Sequence, residues 1–577
     1  MANRKAGSED PGSLARDARG KRDRDDDARA ARGAALACRR GRFAQWVRRP
    51  CRQHGKPDIT TVAWAEFALL ALAAGLALRL LAKPPLRLDA RAHPALAMAV
   101  GAVLVVAGTA VALAAIAWPL ARHAAAVLAL ATMAALAWRA RPGYGTSRGW
   151  PPGSLGLAAS LDAIGDRHYY RSQAARHGPV FKMSQFGRPV ACVVGLERAR
   201  RIHAEHADAL VPAQLPYNRL LSKGVLRYMR DDEHRVEAPV FRVAFARMDL
   251  VGAEDMLRSS LRRELDTLVA RSNHGGVSAR DAFDRWTVTA LARLFFGVDP
   301  LGERAARLAA MVPSVGVDRT GGMRWRRDLV DGVARLAAEI RAIARDRAAG
   351  VPGIAAGAPI GALADAPGGG LDRPARIENL VVIFRLASKD LTGLMDWIFH
   401  FAAAEPALLD PVRAHGRTAG GPRMAPPFDP ATAFVMETLR LEQSEYLYRR
   451  VLRPIDIDGR RIPAGWILRL CVNESHRDSA VFAEPDRFDP RRFMSRTYSR
   501  TEYSPFGGHT HGCMGAHVAH FLGRLLVEEL ALGYAWTVVS DGPIEHGSRH
   551  RDHWRPSARR RIAMRPRVPA VEHAPAI

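Results

Sequence analysis

The stretch from Tyr503 to His520, YSPFGGHTHGCMGAHVAH, places a cysteine in a glycine-rich loop. The residues that follow, FLGRLLVEELALGYAW, have the apolar period of a helix. Backbone N–H groups and the helix dipole at such a position favour a thiolate over a thiol. Because glycines let a flat ligand approach the backbone, Cys513 is a candidate axial ligand for a metal.

Two other interpretations of this stretch remain open. Cys513 could be a buried structural cysteine in a glycine-rich turn. It could also belong to a zinc site, because four histidines lie close to it in sequence: His509, His511, His517 and His520. Their spacing matches no usual zinc pattern, and zinc sites more often use paired cysteines.

Composition excludes some classes of function. The 577 residues allow either several domains or one large enzyme domain with an appendage. The formal net charge is +27, but arginine is spread along the chain and aromatic residues make up only 7%, which argues against a dedicated nucleic-acid surface. The five cysteines are odd in number and scattered, so we predict no disulfide framework and a reducing compartment.

The N-terminal quarter differs from the rest of the chain. Residues 1–60 are polar and basic, and we predict a disordered tail. Residues 61–140 contain three apolar runs, which predict a membrane segment with two to three transmembrane helices: Thr61–Ala82, Ala95–Trp118 and Ala124–Trp138. The alternative is a set of buried soluble helices. Arginines flank every run, so the positive-inside rule leaves the orientation open.

Residues 141–156 are rich in glycine and proline and predict a hinge. In the remaining domain, 157–577, alternating residues from Val180 to Val194 predict two strands. The stretch Gly350–Gly370 predicts an exposed loop. Helical periodicity predominates elsewhere, at Leu196–His206, Glu233–Arg247, Glu254–Arg271, Ala279–Phe296, Arg324–Ala348 and Ile377–Ala404, with short strand signals at Tyr446–Val451, Ile455–Ile457 and Ile467–Val472.

The cysteine loop resembles that of the haem-thiolate monooxygenases, the cytochrome P-450 family. The matching residues are Phe506, Gly507, His511, Cys513 and Gly515. His509 stands where the family usually has a second glycine. The resemblance implies a mainly α fold with a small β region, and a haem whose iron is held by Cys513. A thiolate at that position donates electron density that favours O–O cleavage.

An upstream helix carries a second element of the resemblance. In AFVMETLRLE, Glu437 and Arg440 lie three residues apart on one helix face. Without the resemblance, a surface ion pair would explain them equally well. In the family, such a Glu-x-x-Arg pair joins a later arginine in a structural network, and we expect Arg487 of EPDRFDPRRF to be that arginine.

Haem carries two propionates, which need basic partners. By resemblance, these partners are Arg449, His511 and His234. Ala238 stands where the family often has an arginine four residues after the histidine, and Arg235 and Arg242 are the candidate substitutes for it.

The predicted central helix contains RLASKDLTG, where the family pattern is Ala-Gly-x-acid-Thr above the haem. Ala387 and Asp390 match, whereas Ser388 replaces the glycine and Leu391 replaces the threonine. Thr392 lies one position further, turned by about 100° around the helix. The resemblance makes Asp390, Ser388 and Thr392 the candidate catalytic residues for proton delivery. A solvated ion pair with the neighbouring lysine is the alternative for Asp390.

The resemblance implies insertion of one oxygen atom into a small apolar organic substrate. Electrons would come ultimately from NAD(P)H through a separate partner, either a ferredoxin- or flavodoxin-type protein or a reductase. We expect a membrane-bound protein with its catalytic domain facing the cytoplasm. The competing hypothesis is a degenerate haem-binding protein, a sensor or paralogue without oxygenase activity, because of the departures at Ala238, Ser388, Leu391 and His509. A zinc protein or membrane adaptor is the third.

Overall fold

The chain divides into two units, Met1–Ala134 and Ala135–Ile577, and the description below concerns the second. The computed structural model describes residues 147–567, and before them only residues 131, 134 and 145. Within 147–567 the undescribed residues are 157–158, 160–161, 164–165, 186–187, 214–224, 230, 273–275, 316–321, 356, 418–427, 443–446, 508–511 and 549–550. The predicted tail and membrane segment, 1–60 and 61–140, therefore lie almost wholly outside the described residues, as do His509 and His511.

Helices make up most of the described part. They are α1 (Tyr169–His177), α2 (Leu196–His206), α3 (Asp231–Ala246), α4 (Leu250–Arg271), α5 (Arg280–Phe296), α6 (Glu303–Met311), α7 (Gly322–Ala348), α8 (Pro359–Ala364), α9 (Pro374–Ala404), α10 (Asp410–His415), α11 (Pro430–Leu441), α12 (Val472–Ser475), α13 (Arg491–Ser495) and α14 (Ala516–Gly533).

The strands are short. They are β1 (Gly153–Ser154), β2 (Val180–Gln185), β3 (Arg188–Val194), β4 (Leu210–Pro212), β5 (Leu447–Val451), β6 (Ile455–Ile457), β7 (Arg460–Ile462), β8 (Ile467–Cys471), β9 (Tyr534–Ser540), β10 (Glu545–Ser548), β11 (Arg551–Arg555) and β12 (Arg561–Pro566). Six of them form one sheet in the order β1-β2-β3-β8-β5-β4, and β6–β7, β9–β12 and β10–β11 form separate pairs. The predicted combination of a mainly α fold and a small β region is confirmed.

Helix α9 runs through the core. It has 31 residues and begins at Pro374, whose fixed φ suits the first turn and whose missing N–H would have no helical partner there. Side chains on all sides of its C-terminal half are buried, including Leu394, Trp397 and Ile398. Each such side chain stabilises the fold by about 1.5–3 kcal/mol. Helices α5, α7, α11 and α14 pack around α9. We therefore expect α9 to keep its position when a molecule binds beside it.

Most predicted elements agree with the structure, and two differ. The predicted exposed loop at 350–370 is wrong in part, because α8 lies within it and buries Ile360 and Leu363 in the core. The helix after the cysteine loop begins earlier than its apolar run, at Ala516, and ends at Gly533. Among the described residues, no helix has the length and apolarity needed to cross a bilayer.

A fully buried ion pair joins α11 to the segments after it. Arg440 donates two hydrogen bonds to the carboxylate of Glu437, at 2.7 and 2.8 Å, and both side chains are completely buried. Glu437 also accepts from the backbone N–H of Asp489 at 2.9 Å and from Arg492 Nε at 3.0 Å. Arg440 donates further to the carbonyl oxygen of His476 at 2.8 Å. A buried charge is tolerated only when it is paired and bonded in this way.

The third member of this network is Arg492, and the prediction for the side chain of Arg487 is wrong. The guanidinium of Arg487 is exposed and pairs with Glu484 at 3.1 Å. Arg487 contributes only its carbonyl oxygen, which accepts from Arg440 at 3.2 Å. The short helix α13 turns the chain so that the later arginine reaches the carboxylate.

Removing one partner of a buried pair leaves the other charge without compensation. We expect Glu437→Ala to lower the free energy of unfolding by about 3–5 kcal/mol, measured by urea unfolding followed by circular dichroism. Arg492→Ala should cost more than Arg487→Ala, since an exposed pair contributes less than about 1 kcal/mol. Equal losses in the two arginine variants would contradict the assignment of Arg492.

Candidate functional site

One cavity brings the cysteine loop, α9, α3 and the turn before α3 together. Among its described lining residues, only four besides the cysteine carry an ionisable side chain, and most of the others are apolar. The ionisable four are Arg227, His234, Arg242 and Asp390, and the apolar ones include Phe245, Leu291, Phe295, Val382, Ile383, Leu386, Ala387, Leu391, Leu394, Leu439, Leu447, Phe506, Met514, Val518 and Ala519. The thiol-bearing residue Cys513 is exposed and lines this cavity.

The described residues on either side of 508–511 have a defined geometry. The N–H of Cys513 donates to the carbonyl oxygen of Phe506 at 3.1 Å, which closes the loop. Gly507 has a φ of +69°, and a Cβ there would lie 3.1 Å from a methyl carbon of Leu447. A glycine is therefore required at this position both for its φ and for the close approach of β5. This local geometry explains why the Phe-Gly pair precedes the cysteine.

Two hydrogen bonds tie the loop to the network of Glu437. The Tyr503 hydroxyl donates to the carbonyl oxygen of Met436 on α11 at 2.9 Å. The N–H of Ser504 donates to His476 Nε2, also at 2.9 Å. Burial, with the neighbouring charge of Arg440 adding to it, lowers the pKa of His476 to about 3, so its ring stays neutral and can accept this bond. The position of the start of the loop therefore depends on the buried ion pair of Glu437 and Arg440.

Helix α14 starts directly after the loop, so its N-terminal end faces Cys513 and favours the thiolate. A second buried ion network, which our sequence reasoning missed, fixes this helix to α4. Arg524 donates to Glu528 at 3.2 Å and to Glu254 of α4 at 3.0 Å, and Arg258 of α4 donates to Glu529 at 3.0 Å. The four-residue spacing of Arg524 and Glu528 could have been recognised in the sequence. The pairing between α14 and α4 could not.

The histidines near Cys513 do not form a metal cluster in the part that the structure describes. There, no group of three or more histidine, cysteine or acidic side chains could hold a metal ion. His520 is buried, its ring lies 5.4 Å from that of Phe506, and burial lowers its pKa to about 4. His517 hydrogen-bonds to the backbone of Phe245. Neither histidine lines the cavity itself, but both contact residues that do, Phe506 and Phe245.

Within the stretch RLASKDLTG of α9, Ala387, Asp390 and Leu391 are among the residues that line the cavity. Ser388 and Thr392, the other two predicted catalytic residues, are buried outside the lining. Ser388 Oγ donates to the carbonyl oxygen of Phe384 at 2.7 Å, and Thr392 Oγ1 donates to that of Ser388 at 2.9 Å. The helix is regular here, so the one-position shift of the threonine turns its hydroxyl away from the cavity.

The basic residues follow one face of α3. His234, Ala238 and Arg242 are spaced by four residues and all line the cavity, whereas Arg235 does not. Of the two substitutes considered for the arginine missing at Ala238, the structure therefore brings Arg242 to the cavity. Arg449 is buried and lies on the same face of β5 as Leu447. Of these two residues, Leu447 lines the cavity.

These residues fit haem. A thiol that lines an apolar cavity can ligate the iron, and the flanking Gly512 and Gly515 leave room for a flat macrocycle. Arginine and histidine side chains beside the same cavity can bind carboxylates such as propionates.

Comparisons with known proteins agree with this geometry. The cytochrome P450 family profile matches residues 430–548. Cytochrome P450 26C1 of Homo sapiens is 28% identical over 446 residues, covering 68% of this chain and 83% of its own length. Abscisic acid 8'-hydroxylase 2 of Arabidopsis thaliana is 22% identical over 422 residues, covering 68% and 85%.

The fold is also similar to that of a solved cytochrome P450 structure. A retinoic acid-bound cyanobacterial CYP120A1 superimposes with a TM-score of 0.60 at 19% identity, covering 73% of this chain and all of that one. A cysteine loop that opens on an apolar cavity, a long helix beside it and the buried Glu-x-x-Arg pair occur together with these similarities. The chain is therefore similar to the cytochrome P450 family, both in sequence over residues 430–548 and in fold.

Proposed function

We propose that this protein is a haem-thiolate monooxygenase that inserts one oxygen atom into a C–H bond of a small apolar carboxylic acid. The observation that carries the proposal is that Cys513 and Asp390, from two different elements, line one cavity whose other lining residues are mostly apolar. One side chain is suited to hold the iron, and the other to supply protons beside α9. Similarity to a family of monooxygenases supports the reaction class.

When bound, haem supplies the iron at which dioxygen is activated. Cys513 would ligate that iron through its sulfur, in the positive field at the start of α14. His234, Arg242 and Arg449 would hold the propionates, because they are the described basic residues on α3 and β5 beside the cavity. The aliphatic and aromatic lining excludes water from the substrate.

The substrate class is supported by both the cavity and the relatives. An apolar lining selects an apolar body. The relatives include an abscisic acid hydroxylase and a structure with retinoic acid bound, so their ligands are apolar acids. We extend that class to this chain.

The reaction needs electrons and protons, since the second oxygen atom leaves as water. We assign the electrons to a separate ferredoxin- or flavodoxin-type protein or reductase, supplied ultimately by NAD(P)H. We assign the protein to a membrane, with residues 61–140 as its anchor and the catalytic domain on the cytoplasmic side. The apolar runs in that segment support this placement.

A second candidate function is favoured by one observation on α9. Leu391 lines the cavity where the family pattern has a hydroxyl, and the hydroxyls of Ser388 and Thr392 are bonded to carbonyl oxygens of their own helix. A haem-binding sensor or paralogue without oxygenase activity would need no such hydroxyl. The oxygen-coupling measurement below distinguishes the two functions.

The thiolate ligand is tested by absorption spectroscopy. Reduced protein under carbon monoxide should show the red-shifted Soret band of a thiolate complex, and Cys513→Ala should abolish it. Cys471→Ala is the matched control, because Cys471 is buried in β8 outside the cavity lining. A colourless wild-type protein would overturn the proposed function.

Haem retention tests the basic residues of α3. Arg242→Ala should speed haem transfer to apomyoglobin by about tenfold, because a charged hydrogen bond to a propionate is lost. Arg235→Ala, on the same helix but outside the cavity lining, should leave the transfer rate unchanged. If both variants lose haem equally, the net charge of α3 matters and the position of Arg242 does not.

Proton delivery is tested by measuring product, hydrogen peroxide and consumed NAD(P)H together, with a surrogate redox partner. We expect wild-type protein to lose much of its reducing power as peroxide. Leu391→Thr should raise product per electron. Asp390→Asn should lower turnover roughly a hundredfold with haem retained, whereas Lys389→Gln should not. Unchanged turnover in Asp390→Asn would remove this carboxyl from the mechanism, and a wild type that never yields product would favour the second candidate function.

A further inference from the structure

The chain segment before and along α3 connects two sides of the cavity. At its beginning, the N–H of Leu226 donates to Asn379 Oδ1 of α9 at 2.6 Å, in a buried position. The amide of Asn379 is itself fixed, since its Nδ2 donates to the carbonyl oxygen of Ala375 at 2.8 Å. The 3-10 turn Leu226–Tyr228 is therefore held against α9.

The same segment ends at the cysteine side. His517, in the first turn of α14, hydrogen-bonds to the backbone of Phe245. Arg242 lies one turn before Phe245 on the same helix face, so it belongs to the cysteine side of the cavity. Arg227 belongs to the α9 side, because it follows Leu226 directly and lines the cavity.

Because Arg227 and Arg242 belong to different sides of the cavity, we expect them to bind different ligands. Because Cys513 would hold the iron at the cysteine loop, we take the apolar residues of α9 as the part of the lining that is left for a substrate. None of the seven cavity-lining residues of α9 carries a positive charge, and one of them, Asp390, is an acid. A carboxylate entering there would lose its hydration among aliphatic side chains, which is costly unless a charged donor replaces the water. A guanidinium can replace it with two parallel hydrogen bonds.

We propose that Arg227 binds the carboxylate of an apolar acidic substrate on the α9 side of the cavity. The inference rests on the proposed function and assigns its substrate a specific anchor. With the head group at Arg227, the apolar body would lie along the aliphatic residues of α9, among them Ile383, Ala387 and Leu391. Arg227 would then determine both the preference for acids and the site of oxidation.

The test compares acids with their methyl esters, which keep the apolar body and lose the charge. The probes are retinoic acid and myristic acid, each with its ester, bound to full-length holoprotein. Binding is measured by the Soret shift and independently by equilibrium dialysis. Wild type should bind each acid about tenfold more tightly than its ester. Arg227→Gln should abolish that difference by weakening acid binding alone, and Arg227→Lys should retain part of it.

Arg235→Gln, exposed and outside the cavity lining, is the control and should keep the wild-type ratio. The haem content and carbon monoxide spectrum of Arg227→Gln are measured first. Loss of haem in this variant would assign Arg227 to a propionate and overturn the proposal. Equal affinity for acid and ester in wild type, a preserved ratio in Arg227→Gln, or binding of neither probe would also overturn it. Failure of the proposed function has a different signature, since wild type would then lack the thiolate band while dialysis still reports the acid-to-ester ratio.

Discussion

The buried ion pair of Glu437 and Arg440 determines where the cysteine loop lies. Glu437 is bonded by two arginines and a backbone N–H, and Arg440 extends the network to the carbonyl oxygen of His476. The neutral ring of His476 then accepts the N–H of Ser504 at the start of the loop. Unpaired buried charges are costly, so breaking this network would be strongly destabilising. The position of Cys513 thus depends on a buried network whose own residues take no part in the reaction.

The lining of the cavity is mostly apolar and contains few polar groups, so the cavity selects apolar ligands. Asp390 is the acid that α9 presents to it, and Leu391 fills the position next to that acid with a side chain that cannot carry a proton. This arrangement suits substrate binding better than oxygen activation. The chemistry of the site therefore depends on whether one carboxyl, aided by water, can deliver protons fast enough.

Charge is distributed along one continuous segment of chain. Between Leu226 and Phe245 the backbone passes from α9 to α14, and it is anchored to each by a hydrogen bond. The arginines near its two ends, Arg227 and Arg242, both line the cavity. The alanine between His234 and Arg242 leaves space on the same helix face, so a departure from the family pattern at Ala238 is matched by a cation one turn later.

Local periodicity and motif spacing were sufficient to predict much of this protein. The bounds of the helix Leu196–His206 and the cysteine loop follow from neighbouring residues, because apolar period and turn residues act within a few positions. Tertiary structure decided which of several similar side chains is used. Arg492 replaces Arg487 because α13 turns the chain, and Arg242 is used in preference to Arg235 because only one face of α3 meets the cavity. Such choices depend on packing between distant elements, which no local pattern specifies.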